Sequence, residues 1–198
     1  ELPEPNNLSH VENVTLNLDN IEQGSRLNQT ANFSIFPDIK SVSVQGGSTV
    51  DGTTITLELG AEQSLYLSNI RDGDIDSSSV VDGGLKVTQS NTVESFTLYL
   101  DNVASQEIDL ERAVVVDFDS PSLVEINLEV VNENFILLRG SGSELLRLNI
   151  NGSGATNLGQ LPSSLSNLNA ASVIGKLNFS ILEGSIHALT GAGDDTID

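Results

Sequence analysis

Three carboxylates alternate with other residues at Asp72, Asp74 and Asp76, and they are the first candidates for metal chemistry. Aspartates spaced in this way occur in loops that hold Ca²⁺ through hard oxygen ligands. The stretch is not an EF-hand, because Gly83 stands where that loop needs a bidentate glutamate. Two interpretations remain open. A cation could offset the repulsion between the carboxylates, or the stretch could be a solvated acidic loop.

Two other stretches could supply oxygen ligands. Near the end of the chain, Gly191 and Gly193 would tolerate positive φ and close backbone approach, which turns carbonyl oxygens towards an ion. Further upstream, Asp109, Asp117 and Asp119 form an acidic cluster. For this cluster a solvated acidic surface is the alternative to a metal site.

The residue patterns of common catalytic sites are missing. The sequence has no Gly-x-Ser-x-Gly nucleophile turn, no phosphate-binding glycine loop and no His-Glu-x-x-His metal motif. Its 2 histidines are far apart, without a second histidine at ligand spacing. We therefore predict that the protein is not an enzyme.

The charge of the chain is strongly negative. Its 8 lysines and arginines face 28 aspartates and glutamates, which gives a formal charge of −20 and an isoelectric point near 4.1. Such a field repels nucleic acid and anionic lipid, so neither is a predicted partner. No apolar run approaches the ~20 residues that span a bilayer, so membrane insertion is not expected. The same charge attracts Ca²⁺, although solubility in salt is an alternative explanation for it.

Short strands must position these candidate ligands, because apolar residues recur with period two. Between them stand mostly Thr, Asn, Ser and Glu, which suit a solvent-facing side, and turn-forming residues interrupt nearly every run. We therefore predict an all-β fold. The clearest runs are residues 14–18, 42–44, 55–59, 96–100, 126–130 and 146–150.

The spacing of these runs favours a parallel β-helix. Strands near residues 96, 126 and 146 are about one coil of such a helix apart, so equivalent strands would stack. The alternative is an antiparallel β-sandwich, especially in the N-terminal half, where residues 55–59 and 65–67 could form a hairpin. We expect a β segment over 1–90, which could be continuous with stacked coils over 91–188. Residues 72–84 are the best candidate for a linker or large loop.

A family resemblance adds to this interpretation. Residues 8–16 resemble the "IExVxLT" strands of bacterial surface-layer proteins, and residues 168–179 resemble the "LDASxxTGxLxxT" strand that precedes calcium repeats in those proteins and in RTX exoproteins. Residues 189–197 resemble the repeat itself, G-G-x-G-x-D-x-U-x. Two positions depart from the pattern, since Thr190 occupies the first repeat glycine and Asn169 replaces the usual aspartate. The resemblance is sharpest over 144–198.

The resemblance implies a right-handed parallel β-helix or β-roll that folds with Ca²⁺ after type I secretion. It assigns Asp195 as a side-chain ligand, with the carbonyls of Gly191 and Gly193 completing half a site. Residues 189–198 would then be the start of a truncated RTX-type calcium repeat, and the chain a fragment of a longer protein.

These observations lead to one functional expectation and two alternatives. We expect a structural segment of a secreted, calcium-stabilised protein of the cell surface. It would self-assemble into a surface layer or filament, and cell-surface polysaccharide is a possible further partner. The first alternative is an adhesin module that binds a glycan or a host surface protein. The second is a non-catalytic spacer of a secreted exoenzyme.

Overall fold

The structure is a computed structural model that describes residues 11–18, 29–49, 54–72, 84–90, 92–104, 113–140, 144–181 and 186–198. At 48–49 and 71–72 it describes the backbone alone. In these ranges 18 strands and no helix are present, so the all-β prediction is confirmed. It follows that none of the described residues belongs to a helix with the length and hydrophobicity to cross a bilayer.

The strands form two large sheets and one small one. Sheet 1 contains β1 (Asn13–Asn17), β3 (Ser41–Gln45), β6 (Ser64–Ser68), β9 (Ser95–Asp101), β11 (Glu125–Val131), β13 (Arg147–Gly152), β15 (Asn167–Asn169) and β17 (His187–Leu189). Sheet 2 contains β2 (Gln29–Asn32), β5 (Thr54–Leu59), β8 (Gly84–Gln89), β10 (Val114–Phe118), β12 (Glu133–Arg139), β14 (Ala155–Gln160), β16 (Leu177–Ser180) and β18 (Thr196–Ile197). The small sheet pairs β4 (Ser48–Thr49) with β7 (Arg71–Asp72).

The chain visits sheets 1 and 2 alternately, and each strand pairs in parallel with the equivalent strand one coil earlier. This coiled arrangement is consistent with a fold of the β-helix or β-roll type. The described residues contain no antiparallel pair, so the β-sandwich alternative is wrong for them. The hairpin between residues 55–59 and 65–67 is also wrong, because β5 and β6 belong to different sheets.

The core is a stack of aliphatic side chains between the two sheets. All six runs with period two lie on strands or directly beside them, and their apolar residues point inward as predicted, except for Leu146, which precedes β13 and is exposed. One column in sheet 1 is in register over five coils, and its members are fully buried: Val42, Leu65, Leu98, Leu128 and Ile150. Across the core, Phe96 of β9 meets Phe118 of β10 edge to face, with ring centres 5.6 Å apart. Because one coil cannot bury its own apolar side, stacking provides the core.

The coils differ in length along the chain. In sheet 2, Lys86 pairs with Asp117, 31 residues later, whereas Asn178 pairs with Thr196, 18 residues later. Both sheets run across residue 90, since β6 pairs with β9 and β8 pairs with β10. Residues 73–83, most of the predicted linker or large loop, lie outside the described residues. The described strands stay paired in parallel although the length of the coils changes.

Candidate calcium corner and outer polar surfaces

Glycines stack at one corner of the last coils, between sheet 1 and sheet 2. A Cβ on Gly154 would lie 2.3 Å from the carbonyl oxygen of Asn132, one coil earlier. The same distance separates a Cβ on Gly175 from Gly154 O, and a Cβ on Gly193 from Gly175 O. Only a residue without a side chain allows the turns to approach so closely. We call Gly154, Gly175 and Gly193 the glycine column.

The predicted calcium turn lies at the end of this column. A Cβ on Gly191 would come within 1.9 Å of the carbonyl oxygen of Val173, and the amide of Ala192 donates a hydrogen bond of 3.0 Å to the same oxygen. The turn at 191–193 therefore lies directly against the turn at 173–175. Two of the three predicted ligand residues, Gly191 and Gly193, are thus adjacent to backbone carbonyls of the preceding coil.

The third predicted ligand, Asp195, joins two coils. Its Oδ1 atom accepts a hydrogen bond of 2.9 Å from the backbone amide of Leu177, which belongs to the preceding coil. The side chain is half-buried, while its neighbour Asp194 is exposed. Asp195 therefore has a structural role that the sequence pattern does not reveal. It satisfies a backbone donor at the start of β16.

The chemistry of this corner fits half of a calcium site. A carboxylate and backbone carbonyls are the hard oxygen donors that Ca²⁺ takes, and it needs six to eight of them. Across the described ranges, no three side chains of His, Cys, Asp or Glu are grouped so that they could hold a metal ion. The corner thus contributes one carboxylate and the carbonyls of stacked turns, and the remaining ligands would have to come from another coil or from water.

The acidic stretches predicted upstream have different outcomes. Only the backbone of Asp72 is described, in β7, and Asp74 and Asp76 lie outside the described residues together with Asp109. Asp119 forms an ion pair with Lys86, with 2.5 Å between Asp119 Oδ2 and Lys86 Nζ. This pair raises the pKa of Lys86, mainly through the hydrogen bond to Asp119. A lysine therefore occupies the position beside Asp119 where a metal was considered.

The outward side of sheet 1 has an amide ladder. Asn149 Nδ2 donates to Asn127 Oδ1 at 2.8 Å, and Asn151 Nδ2 donates to Glu129 Oε1 at 3.1 Å. Ser172 Oγ then donates to Asn151 Oδ1 at 2.6 Å. Equivalent positions on neighbouring coils are a strand spacing apart, so short amides can bond along the axis of the coils. The ladder holds coils together on the face opposite to the core.

An ion pair continues this polar surface. Arg147 Nε lies 2.7 Å from Glu125 Oε2, with the two residues paired between β13 and β11. The hydrogen bond from Arg147 is the main reason why the pKa of Glu125 is lowered, and hydrogen bonds from Asn127 and Ser95 act in the same direction. The carboxylate is thus held in its charged form by three partners on the same face.

Two tyrosines stack on the same face, and the search for motifs missed them. The rings of Tyr66 and Tyr99 are parallel, at 0°, with centres 4.0 Å apart, because the two residues pair between β6 and β9. A hydrogen bond with Tyr66 raises the pKa of Tyr99. Each ring covers a face of the other, so fewer ring faces are left for a sugar. The signal was present in the sequence as the tripeptide Leu-Tyr-Leu, which occurs at 65–67 and again at 98–100.

An open groove of about 710 Å³ lies where sheet 2 turns back towards sheet 1. Its polar lining comes from a guanidinium, an amide and three hydroxyls: Arg139, Gln160, Ser163, Ser164 and Ser180. Its apolar lining includes Leu137 and Pro162. The volume lies in the range of pockets that take small ligands.

Comparison with known proteins gives no family for this chain: no protein-family model matches it, and no curated protein and no solved structure matches it.

Proposed function

We propose that this chain is a structural segment of a secreted, calcium-stabilised protein of the cell surface, and that it self-assembles into a layer or filament. The proposal includes a right-handed β-helix that passes into a β-roll, since crossovers between parallel strands are right-handed in about 98% of cases. The observation that carries it is the glycine column, which ends at Gly193 in the same turn as Gly191 and two residues before Asp195. This succession matches the order of strand and repeat in the resemblance described above.

Calcium has a clear physical task in this proposal. The chain has a formal charge of −20, so its carboxylates repel one another when the coils are packed. A divalent cation between turns reduces that repulsion. Asp195 and the carbonyls of Gly191 and Gly193 would hold the ion from one side. Because Asp195 already bonds to Leu177 of the preceding coil, a cation there would reinforce a contact that the chain makes by itself.

A thermal melt with and without millimolar Ca²⁺ tests the proposal, with Mg²⁺ at the same ionic strength as the control. A ligand present at 100 times its Kd stabilises the folded state by about 2.7 kcal/mol, which gives a clear rise in Tm. Electron microscopy of the same samples should show ordered layers or fibres with Ca²⁺ that disappear on chelation. If Ca²⁺ and Mg²⁺ leave Tm equally unchanged and no assembly forms, the proposal is wrong.

The groove at the edge of sheet 2 supports a second candidate, an adhesin module that binds a glycan. Hydroxyls, an amide and a guanidinium beside a few apolar side chains suit a sugar chain, which needs both polar and apolar contacts. An adhesin should bind a defined polysaccharide as a monomer and without forming a lattice. Gln160→Ala should weaken that binding, while Ser43→Ala, on the outward side of sheet 1, should leave it unchanged.

A further inference from the structure

Tyr66 and Tyr99 are the only two tyrosines of the chain, and they stack on each other across neighbouring coils. They are separated by a long stretch of sequence, so their contact depends entirely on the register between β6 and β9. The two phenol rings are parallel and stacked, with centres 4.0 Å apart, on the outward face of sheet 1. Both side chains are half-buried, so solutes can reach part of each ring.

The composition of the chain directs one-electron oxidation to this pair. There are 0 cysteines, 0 methionines and 0 tryptophans, so the other side chains that oxidants commonly attack are absent. The hydroxyls already interact, since a hydrogen bond with Tyr66 raises the pKa of Tyr99. A tyrosyl radical formed on either ring therefore has the second phenol as its nearest reaction partner.

We propose that Tyr66 and Tyr99 form a modification site, at which a peroxidase-type oxidant with hydrogen peroxide couples them into an intramolecular dityrosine. Each phenol loses one electron and one proton to give a phenoxyl radical. The two radicals form a carbon–carbon bond between ring positions ortho to the hydroxyls. The hydrogen on each ortho carbon then moves to oxygen and restores two phenols. Overall, two hydrogen atoms leave the protein and reduce one hydrogen peroxide to two waters.

The cross-link would fasten two coils that are otherwise joined by backbone hydrogen bonds and by packing. It would close the stretch from β6 to β9, and closing a long loop restricts the unfolded chain much as a disulfide does. The chain has no cysteine with which to make a disulfide, so this pair is a route to the same effect. The inference is independent of calcium and of self-assembly, because it rests on the packing of sheet 1 alone.

Oxidation of the intact protein with peroxidase and hydrogen peroxide tests the inference. The expected product is a monomer with dityrosine fluorescence whose mass is lower by two hydrogen atoms. Trypsin separates the tyrosines by cleaving after Arg71 and Lys86, so the cross-link should join the peptides 41–71 and 87–112. The yield per molecule should not change on dilution, because the reaction is intramolecular.

Two controls make the result decisive. Tyr66→Phe and Tyr99→Phe should each abolish the fluorescent monomer. The wild-type chain oxidised in concentrated urea should also lose it, since the register between the coils is then lost. Cross-linked dimers without a cross-linked monomer would overturn the inference. So would a gain of oxygen on the tyrosines with no loss of the two hydrogens.

Discussion

A Cβ on Gly193 would lie 2.3 Å from the carbonyl oxygen of Gly175, which is in the preceding coil. Gly175 itself stands in the same relationship to Gly154. The turns at this corner are therefore packed backbone against backbone. Substitution in this column has to move a carbonyl that belongs to another coil.

We predict that Gly175→Ala destabilises the protein by about 1–3 kcal/mol, the usual cost of forcing extra volume into a packed site. The clash is with backbone, which cannot move away as a side chain can. Gly60→Ala is the matched control, because its nearest atom would be Gln63 Cδ at 3.4 Å, on a side chain. Urea denaturation of both variants measures the difference. Equal stabilities would contradict the packing of the glycine column.

The aliphatic stack gives a second prediction. Leu98 is fully buried in the column that runs through sheet 1. Leu98→Ala should therefore cost about 2–5 kcal/mol, from lost burial together with the cavity that remains. Ile174→Ala serves as the control, because Ile174 is 71% exposed, and it should change the free energy of unfolding by less than about 0.5 kcal/mol. If Leu98→Ala and Ile174→Ala lower the denaturation midpoint by the same amount, Leu98 does not contribute to the core as proposed.

Sheet 1 was predictable from the sequence because its strands alternate strictly between core and solvent. In Ile126 to Val130, for example, every second side chain is buried and the residues between them are polar. Sheet 2 was harder, since β10 begins with three consecutive valines, Val114 to Val116, all of which are buried. A strand that is apolar on both sides has no period to detect. The signal in β12 was weak for the same reason, with Phe135, Ile136 and Leu138 all buried.

The candidate site was predictable in part. The repeat pattern identified Gly191, Gly193 and Asp195, and the structure brings these residues to one corner. The bond from Asp195 to the Leu177 amide depends on how two coils are aligned, and one sequence does not reveal that alignment. The tyrosine stack depends on the same alignment, across a coil much longer than the last one. Unequal coil lengths thus hide contacts that a fixed repeat would have revealed.

The amide ladder yields a third prediction, on coupling between coils. Asn149 donates to Asn127, and each residue is on the outward face of its strand. Asn149→Ala should cost about 0.5–1.5 kcal/mol, the net value of a typical hydrogen bond. In a double-mutant cycle with Asn127→Ala, the two losses should not add, because both variants remove the same bond. Fully additive losses would mean that the ladder does not stabilise the fold.

A fourth prediction concerns acid. Because Arg147 holds the pKa of Glu125 below its usual value of 4.5, the folded state favours the carboxylate. The resulting stability is fully present above the unfolded pKa and is lost as the pH falls through the lower folded pKa. Arg147 is 49% exposed, so Arg147→Gln should cost only about 0.2–1 kcal/mol at pH 7.

The difference in the free energy of unfolding between wild type and Arg147→Gln should then become smaller once the pH falls below about 4.5. Urea denaturation at several pH values measures it. Lys40→Gln is the control. Lys40 and Glu62 are 54% and 81% exposed, so breaking their ion pair should reduce the free energy of unfolding by less than Arg147→Gln does. A gap for Arg147→Gln that stays constant down to strongly acidic pH would show that the ion pair is not its cause.

Asp195 allows the fifth prediction, which separates a structural role from a calcium role. Asparagine keeps an oxygen that can accept the hydrogen bond from the Leu177 amide, but it has no charge. Without calcium, Asp195→Asn should therefore be nearly as stable as wild type. Asp195→Ala should lose about 1–3 kcal/mol, because the amide donor at the start of β16 loses its partner.

Added calcium should then distinguish the two roles. If Asp195 is a ligand, calcium raises the Tm of wild type but not that of Asp195→Asn, since a neutral amide binds Ca²⁺ more weakly than a carboxylate does. Asp194→Asn is the matched control, because it removes the same charge from the neighbouring exposed residue, and its response to calcium should remain. If calcium raises the Tm of wild type, Asp195→Asn and Asp194→Asn by the same amount, Asp195 has its structural role alone. Equal shifts would also place any calcium effect elsewhere in the acidic surface.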